Sequence, residues 1–278
     1  MYQQVFGIQN IDKASSKHLT GVGLEDWRVS GEGKTASFTT NIQGFVKNYV
    51  PRVWKSGFKI TREMLDDDLY DVANDAKKLA RTSIRTVDKE AAKVFQNATA
   101  TTFATGADGL ALQVSNHTRE DAGTALGNTQ TGVLNEANLE TALVSIEEEL
   151  DGRGELIDIE PDTLLVPPAL EKEALILMKS TGRVSTANND TNVYNGRLGI
   201  KVWKRIGAAG GGSDTAWFIL DSGMAKDGSG LNVKFRVRPE VGRETVDDET
   251  HVHKWVGYMR FVISFTDWRS VYGSTGAA

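Results

Sequence analysis

The sequence predicts an α+β fold, and three observations carry that expectation. Apolar residues between Arg62 and Asn97 recur in steps of three and four, the period of one long helix. The stretch 158–235 runs strand, helix, strand, strand, the order of a small mixed α/β unit. From Val233 to Thr266 the pattern changes to period two, which suits half-buried strands.

Composition narrows the function classes. The chain has 278 residues, enough for one large or two modest domains with a proper core. A formal net charge of -5 with both signs interspersed gives no bulk support to a nucleic-acid-binding domain. With no Cys there are no disulfides, thiol nucleophiles or cysteine-built metal sites. No apolar run reaches the ~20 residues that span a bilayer, and Met1–Lys13 lacks the basic start and apolar core of a signal peptide, so a soluble intracellular chain is expected. Gly is abundant beside little Pro, which predicts tight bends and exposed connections.

Taken in order, residues 1–16 scatter Val5, Phe6, Ile8 and Ile11 among polar residues and read as a frayed terminus or as an arm ordered by a neighbouring subunit. In 17–60, Trp27-Arg28-Val29 and Ala36-Ser37-Phe38-Thr39 flank Ser30-Gly31-Glu32-Gly33-Lys34. This predicts a hairpin with a Gly-rich tip, returning through Gly44-Phe45-Val46 and Tyr49-Val50. A lone ribbon is marginal in water, so a partner surface is implied. Basic side chains outnumber acidic ones across residues 1–60.

The helix over 62–97 has Leu65, Leu69, Val72, Ala76, Leu79, Val87, Ala91 and Val94 on one stripe. At ~1.5 Å per residue it is roughly 50 Å long, more than a small round domain needs. Its first half is acidic and its second half basic, as the helix dipole favours, with Thr61 as the cap and Asn97 as the exit. A coiled-coil arm is the competing reading, weakened by the Ala and Ser in the stripe.

Residues 98–132 are rich in Thr, Gly, Ala and Asn and read as surface connections. Asn135–Leu150 reads as a second amphipathic helix stopped at Asp151-Gly152-Arg153-Gly154. From Glu136 to Asp162 the charge is almost wholly acidic, either a solvated face or a surface matched to the basic residues of 17–59 or oriented away from nucleic acid. Thr163–Val166 is a buried strand, and Pro167-Pro168 opens a helix to about Ser180. Asn188, Asn189, Asp190, Asn192 and Asn195 mark a polar loop before the strands 198–203 and 216–220, which Gly207–Gly212 separates. Val233, Phe235 and Val237 alternate with cations, and His251–Thr266 is a long strand with Trp255, Gly257, Met259, Phe261, Ile263 and Phe265 on one face, suited to lie along the long helix.

Enzyme chemistry finds little footing. His251 and His253 share a strand face but lack a third ligand, while His18 and His117 lie in unrelated loops. Gly207–Ser213 has no Walker Lys-Ser/Thr and reads as a flexible turn, as does Gly106-Ala107-Asp108-Gly109. Asp66-Asp67-Asp68 point in different directions on a helix and serve its N-terminal charge rather than a metal. No serine sits in a nucleophile elbow. The expectation is a protein that is not an enzyme, without cofactor or metal.

Three runs carry a family resemblance: Phe58-Lys59-Ile60-Thr61-Arg62-Glu63-Met64-Leu65-Asp66-Asp67-Asp68-Leu69, Thr163-Leu164-Leu165-Val166-Pro167-Pro168-Ala169-Leu170-Glu171, and Thr266-Asp267-Trp268-Arg269-Ser270-Val271-Tyr272-Gly273. In their order and spacing the chain resembles the major capsid proteins of tailed bacteriophages with the HK97-type fold, particularly the group related to the Mu head subunit. The resemblance implies an HK97-type capsid fold with an N-terminal arm (1–16), an extended E-loop hairpin (17–60), a peripheral domain (61–157) with a spine helix (62–97), a compact axial domain (158–235), and a return to peripheral-domain strands and the C-terminus (236–278). The peripheral domain is therefore discontinuous.

It also implies self-assembly into hexamers and pentamers of an icosahedral shell around double-stranded DNA, which is near but not specifically bound. A scaffolding protein, a portal and a decoration protein are the implied partners, in a virion assembled in the bacterial host cytoplasm and without a membrane. Because the sequence begins almost at the arm, a separate scaffold or prior removal of a scaffolding segment is expected. On this reading Trp27, Phe38 and Phe45 are apolar anchors, and Arg28, Lys34, Lys47 and Arg52 meet acidic residues of neighbours, with Asp66, Asp71, Asp75, Glu147, Glu148 and Glu149 the candidates.

Overall fold

The protein is described by a computed structural model over residues 1–36, 38–67, 71–183 and 190–277. The chain opens with a short helix α1 (Tyr2–Val5) and strand β1 (Gly7–Asn10). Strands β2 (Ser16–Leu19) and β3 (Val46–Tyr49) pair antiparallel and close the ends of a long loop. Next come β4 (Arg52–Ile60), α2 (Arg62–Asp66) and α3 (Val72–Gln96).

The expected helix over 62–97 is therefore two helices. Asp67 ends α2, its N–H reaching the carbonyls of Glu63 and Leu65, and Asp71 starts α3 by accepting from the Asn74 N–H at 3.0 Å. Aspartate competes with the backbone for such bonds, so a run of Asp favours a cap over a helix interior. Asp68 and Leu69 of the predicted helix lie outside the described residues. The 25 residues of α3 give a rod of about 37 Å.

Among the described residues burial is confined to the second half of α3: Val87, Ala91, Ala92, Val94 and Phe95 are inside, whereas Ile84 is exposed. That half packs on β9 (Leu231–Val241) and β11 (His253–Phe265), the expected union of an early helix with a late strand. The first sheet runs β1, β9, β11, β10 (Thr245–Val246), with β4 also paired to β11. Trp54 of β4 stacks on Phe261 and Phe58 on Trp255, ring centroids 5.3 and 4.9 Å apart. The long strand begins at His253 rather than His251, because His251 has φ 49° and turns the chain. The two histidines thus do not share a strand face, and His253 pairs instead with Glu244.

The second sheet runs β5 (Thr129–Gln130), β12 (Val271–Ser274), β8 (Trp217–Leu220), β6 (Thr163–Val166) and β7 (Gly199–Val202). Its β12 pairs with β8, so the chain leaves the first sheet after β11 and finishes in the second. Helices α4 (Glu136–Glu147) and α5 (Glu171–Lys179) cover it, burying Leu139, Leu143, Ile146, Ala174 and Met178. The short α6 (Ser222–Lys226) leads from β8 to β9. Phe95 of α3 meets Phe6, Trp203 and Phe218 edge-on at 6.0, 6.0 and 4.9 Å, and the apolar core around these rings joins the arm, the helix and both sheets.

Two further expectations change. The run Gly207–Gly212 is not a loose turn: a side chain at Gly212 would meet the Ile206 carbonyl at 2.0 Å, and Gln96 donates to the Arg205 and Gly210 carbonyls. Its glycines allow the backbone to fold tightly upon itself. His117, expected in a surface loop, is wholly buried, stacked on Trp268 at 3.8 Å and bonded through Nδ1 to Asp108 at 2.6 Å. Of the Asn cluster in the polar loop, Asn188 and Asn189 lie outside the described residues.

Candidate assembly surface

Between β2 and β3 the chain forms a long projection in which the described residues contain no strand. Among the described residues the hairpin expected over 27–39 is not formed, and Ser37 lies outside them. Trp27 and Val29 have no strand opposite them, and only a turn, Lys34 N–H to Gly31 carbonyl at 3.2 Å with Gly33 at φ 74°, marks the tip. The Gly and Thr that interrupt its apolar residues leave too little side-chain contact to hold a ribbon. Trp27 and Val29 are fully exposed and Phe38 is 90% exposed. Covering three such side chains is worth about 5 kcal/mol on transfer arguments.

The root of this projection is fixed. The Thr20 N–H donates to the Phe45 carbonyl at 2.9 Å, and the Thr20 hydroxyl accepts from the Phe45 N–H at 2.9 Å while donating to Glu120 at 2.7 Å. Glu120 in turn accepts from Arg269 at 3.3 Å. Arg269, 3% exposed, also reaches Asp267 at 3.2 Å and the Leu150 carbonyl at 2.9 Å. From the other side Arg153 donates to the Gly23 carbonyl at 2.6 Å and the Thr40 carbonyl at 2.5 Å. A free tip on a clamped root is a geometry suited to reaching another molecule.

The second layer of the root is aromatic and cationic. Lys234 is buried with its ammonium 4.1 Å from the Tyr49 ring centre and 2.7 Å from His18 Nε2. Burial lowers the Lys234 pKa to about 8 and lifts that of Tyr49, whose hydroxyl bonds Thr266 at 2.7 Å, to about 12.

The proposed contact residues divide accordingly. Trp27, Arg28, Lys34, Phe38 and Arg52 are exposed, although Arg28 already has Glu25 at 3.1 Å. Phe45 is half-buried at the root. Lys47 is not a free rim charge: strand alternation turns it inward, where it donates to the Thr105 carbonyl at 2.6 Å, and burial lowers its pKa. Of the acids, Asp66 is exposed and 3.6 Å from Arg62, Asp71 is a cap, and Asp75 holds Lys78 at 2.7 Å. Glu147 pairs with Arg197, and Glu148 is exposed. Glu149 is 5% exposed, since it faces the Arg269 cluster beyond the end of α4, so it is no part of an acidic surface.

The structure adds Arg153, Glu120 and Arg269, which the sequence reading did not single out. Arg153 carried a signal, being the single cation among the acids of 136–162. Among the described residues no group of three or more His, Asp or Glu is placed to hold a metal, and no described helix is long and apolar enough to cross a membrane.

Comparison with known proteins bears on the whole arrangement. The family model described as phage capsid protein matches residues 46–274. No curated protein sequence matches. The fold is similar to the capsid of an empty GTA particle, at 13% identity and TM-score 0.63, covering 100% of this chain and 89% of that one. It is also similar to the capsid of the cyanophage P-SCSP1u, at 15% identity and TM-score 0.57, covering 100% of this chain and 88% of that one. A third likeness is to the SrpI encapsulin of Synechococcus elongatus, at 10% identity and TM-score 0.53, covering 99% of this chain and 86% of that one.

Proposed function

The chain belongs to the phage capsid protein family and has an HK97-type fold, and from that premise we propose that it is the major head protein of a phage, closing as hexamers and pentamers into an icosahedral shell around double-stranded DNA. The observation that carries this reading is the projection between β2 and β3, with Trp27, Val29 and Phe38 bare and its root clamped by Arg153 and Glu120. In this reading the projection is the E-loop, α3 the spine, residues 1–16 the arm, and the sheet of β6, β7 and β8 the centre of the axial domain. The work of the protein is assembly rather than turnover, through many modest contacts that reinforce one another. Scaffold, portal and decoration proteins are the partners it calls for, and assembly takes place in the bacterial host cytoplasm.

Negative-stain electron microscopy with light scattering tests the proposal. Closed shells, or rings of five and six, are expected from purified protein or on coexpression with a scaffold. A variant lacking residues 22–42 is expected to remain folded and to build no stable shell; normal shells from it would sink the assignment of the loop. The likeness to an encapsulin supports a second reading, a cellular nanocompartment shell, which predicts particles that hold protein cargo instead of DNA.

A further inference from the structure

We propose that the exposed side of α3 between Lys77 and Lys89 is a phosphate-binding ridge that meets the backbone of double-stranded DNA without reading its sequence. The proposal rests on the shell reading only for where such DNA comes from. Lys77, Arg81, Arg85 and Lys89 are all exposed and stand four residues apart, so they climb one side of the helix over about 18 Å. Every exposed residue from 77 to 89 is Lys, Arg, Ala or Ile.

The acids of α3 do not neutralise this row. Asp75 is engaged by Lys78 at 2.7 Å, Glu90 by Lys93 at 2.5 Å, and Asp88 is turned inward onto Arg205 at 2.5 Å and the Tyr2 N–H at 3.0 Å. Among the described residues Lys77, Arg81, Arg85 and Lys89 form no ion pair. Like charges at i, i+4 destabilise a helix, and here three such pairs follow one another on a stretch whose exposed side packs on nothing. In a chain of net charge -5, that is a local concentration of cations, and an external anion would favour it further.

A groove of about 340 Å³ beside the ridge extends it. Arg85, Lys55 and one acid, Glu240, line this groove. A duplex presents about one negative charge per 1.7 Å of axis, so a row of four cations meets several phosphates at once.

The test uses the full chain and a fluorescein-labelled 30-base-pair duplex of random sequence, with anisotropy measured over a salt series. Four phosphate contacts predict a slope of log K on log salt near -3.6, or roughly 150-fold weaker binding at 200 mM than at 50 mM salt. The variant K77Q/R81Q/R85Q/K89Q is expected to lose most of that slope while its circular dichroism stays unchanged. The control K13Q/K17Q/K172Q/K204Q, which removes the same charge from other exposed positions, is expected to keep it. An unchanged slope in the first variant, an equal loss in the control, or no binding by the parent protein at 50 mM salt overturns the proposal. Micrographs of the same preparations separate the two readings. Shells from a variant whose slope is intact refute the ridge alone, whereas a ridge-dependent slope in a protein that never forms shells supports the ridge and refutes enclosure. Loss of shells with DNA binding intact shows that the ridge meets an acidic face of a second copy, and refutes the proposal.

Discussion

Replacing Glu149 by Gln should make the protein more stable at alkaline pH and leave it unchanged at acid pH. Glu149 is 5% exposed, and one of its oxygens, Oε1, has no hydrogen-bond partner. Burial raises its pKa from 4.5 to about 7; Arg269 opposes the shift and Asp267 adds to it. Glu120 and Tyr272 belong to the same neighbourhood, Glu120 bonded to Arg269 and Tyr272 coupled to Glu149. Because the folded-state pKa lies above the unfolded value, between pH 4.5 and 7 the folded protein holds a proton that the unfolded chain has released. Stability from this group is therefore greatest below pH 4.5 and is lost as pH rises to 7, after which the loss is constant. A shift of that size corresponds to about 3 kcal/mol. Gln has nearly the shape of the protonated acid and never ionises. In urea unfolding, E149Q should gain about 3 kcal/mol over the parent at pH 8 and almost nothing at pH 4.5. A destabilised variant at pH 8, or a difference independent of pH, would refute the reasoning.

Arg153→Ala should free the projection without unfolding the subunit, since it removes the bonds to Gly23 and Thr40 at the loop's root. Hydrogen exchange at the Thr20 and Phe45 amides, whose bonds close the root, is expected to rise at least tenfold while the urea midpoint hardly moves, and unchanged exchange would show that Thr20 and Glu120 hold the root alone. Phe95→Ala should cost about 3–5 kcal/mol, because it empties the point where the arm, α3 and both sheets meet, and thermal unfolding should show a Tm lower by roughly 10 °C. A loss below about 1 kcal/mol would mean that Trp203 and Phe218 close the gap.

Most regular elements were legible in the sequence because their side chains alternate or recur with a fixed period. The strands 163–166, 217–220 and 253–265 and the helix 136–147 follow from apolar spacing alone. The failures have local causes. Periodicity ran through Asp67 and Asp71, although caps decide where a helix stops. Alternation suggested a ribbon at 27–39, yet strands exist only where a partner offers hydrogen bonds. The Arg269 cluster was hidden for another reason: it draws on Thr20, Glu120, Glu149 and Asp267, distant residues whose meeting no local pattern records.

The weaving of the sheets has a consequence for biosynthesis. In β4, Arg52 lies opposite Phe261, and in β1, Gly7 lies beside Asn232. At 5–20 residues per second a ribosome takes roughly 10–40 s to make the partner that β4 awaits. During that interval an unpaired edge and the bare Trp27 and Phe38 are both exposed to other chains, a demand on chaperones that a locally wired fold of equal size would not make. Because the early strands find their partners only near the end of translation, the proposed shell would draw on completed subunits alone.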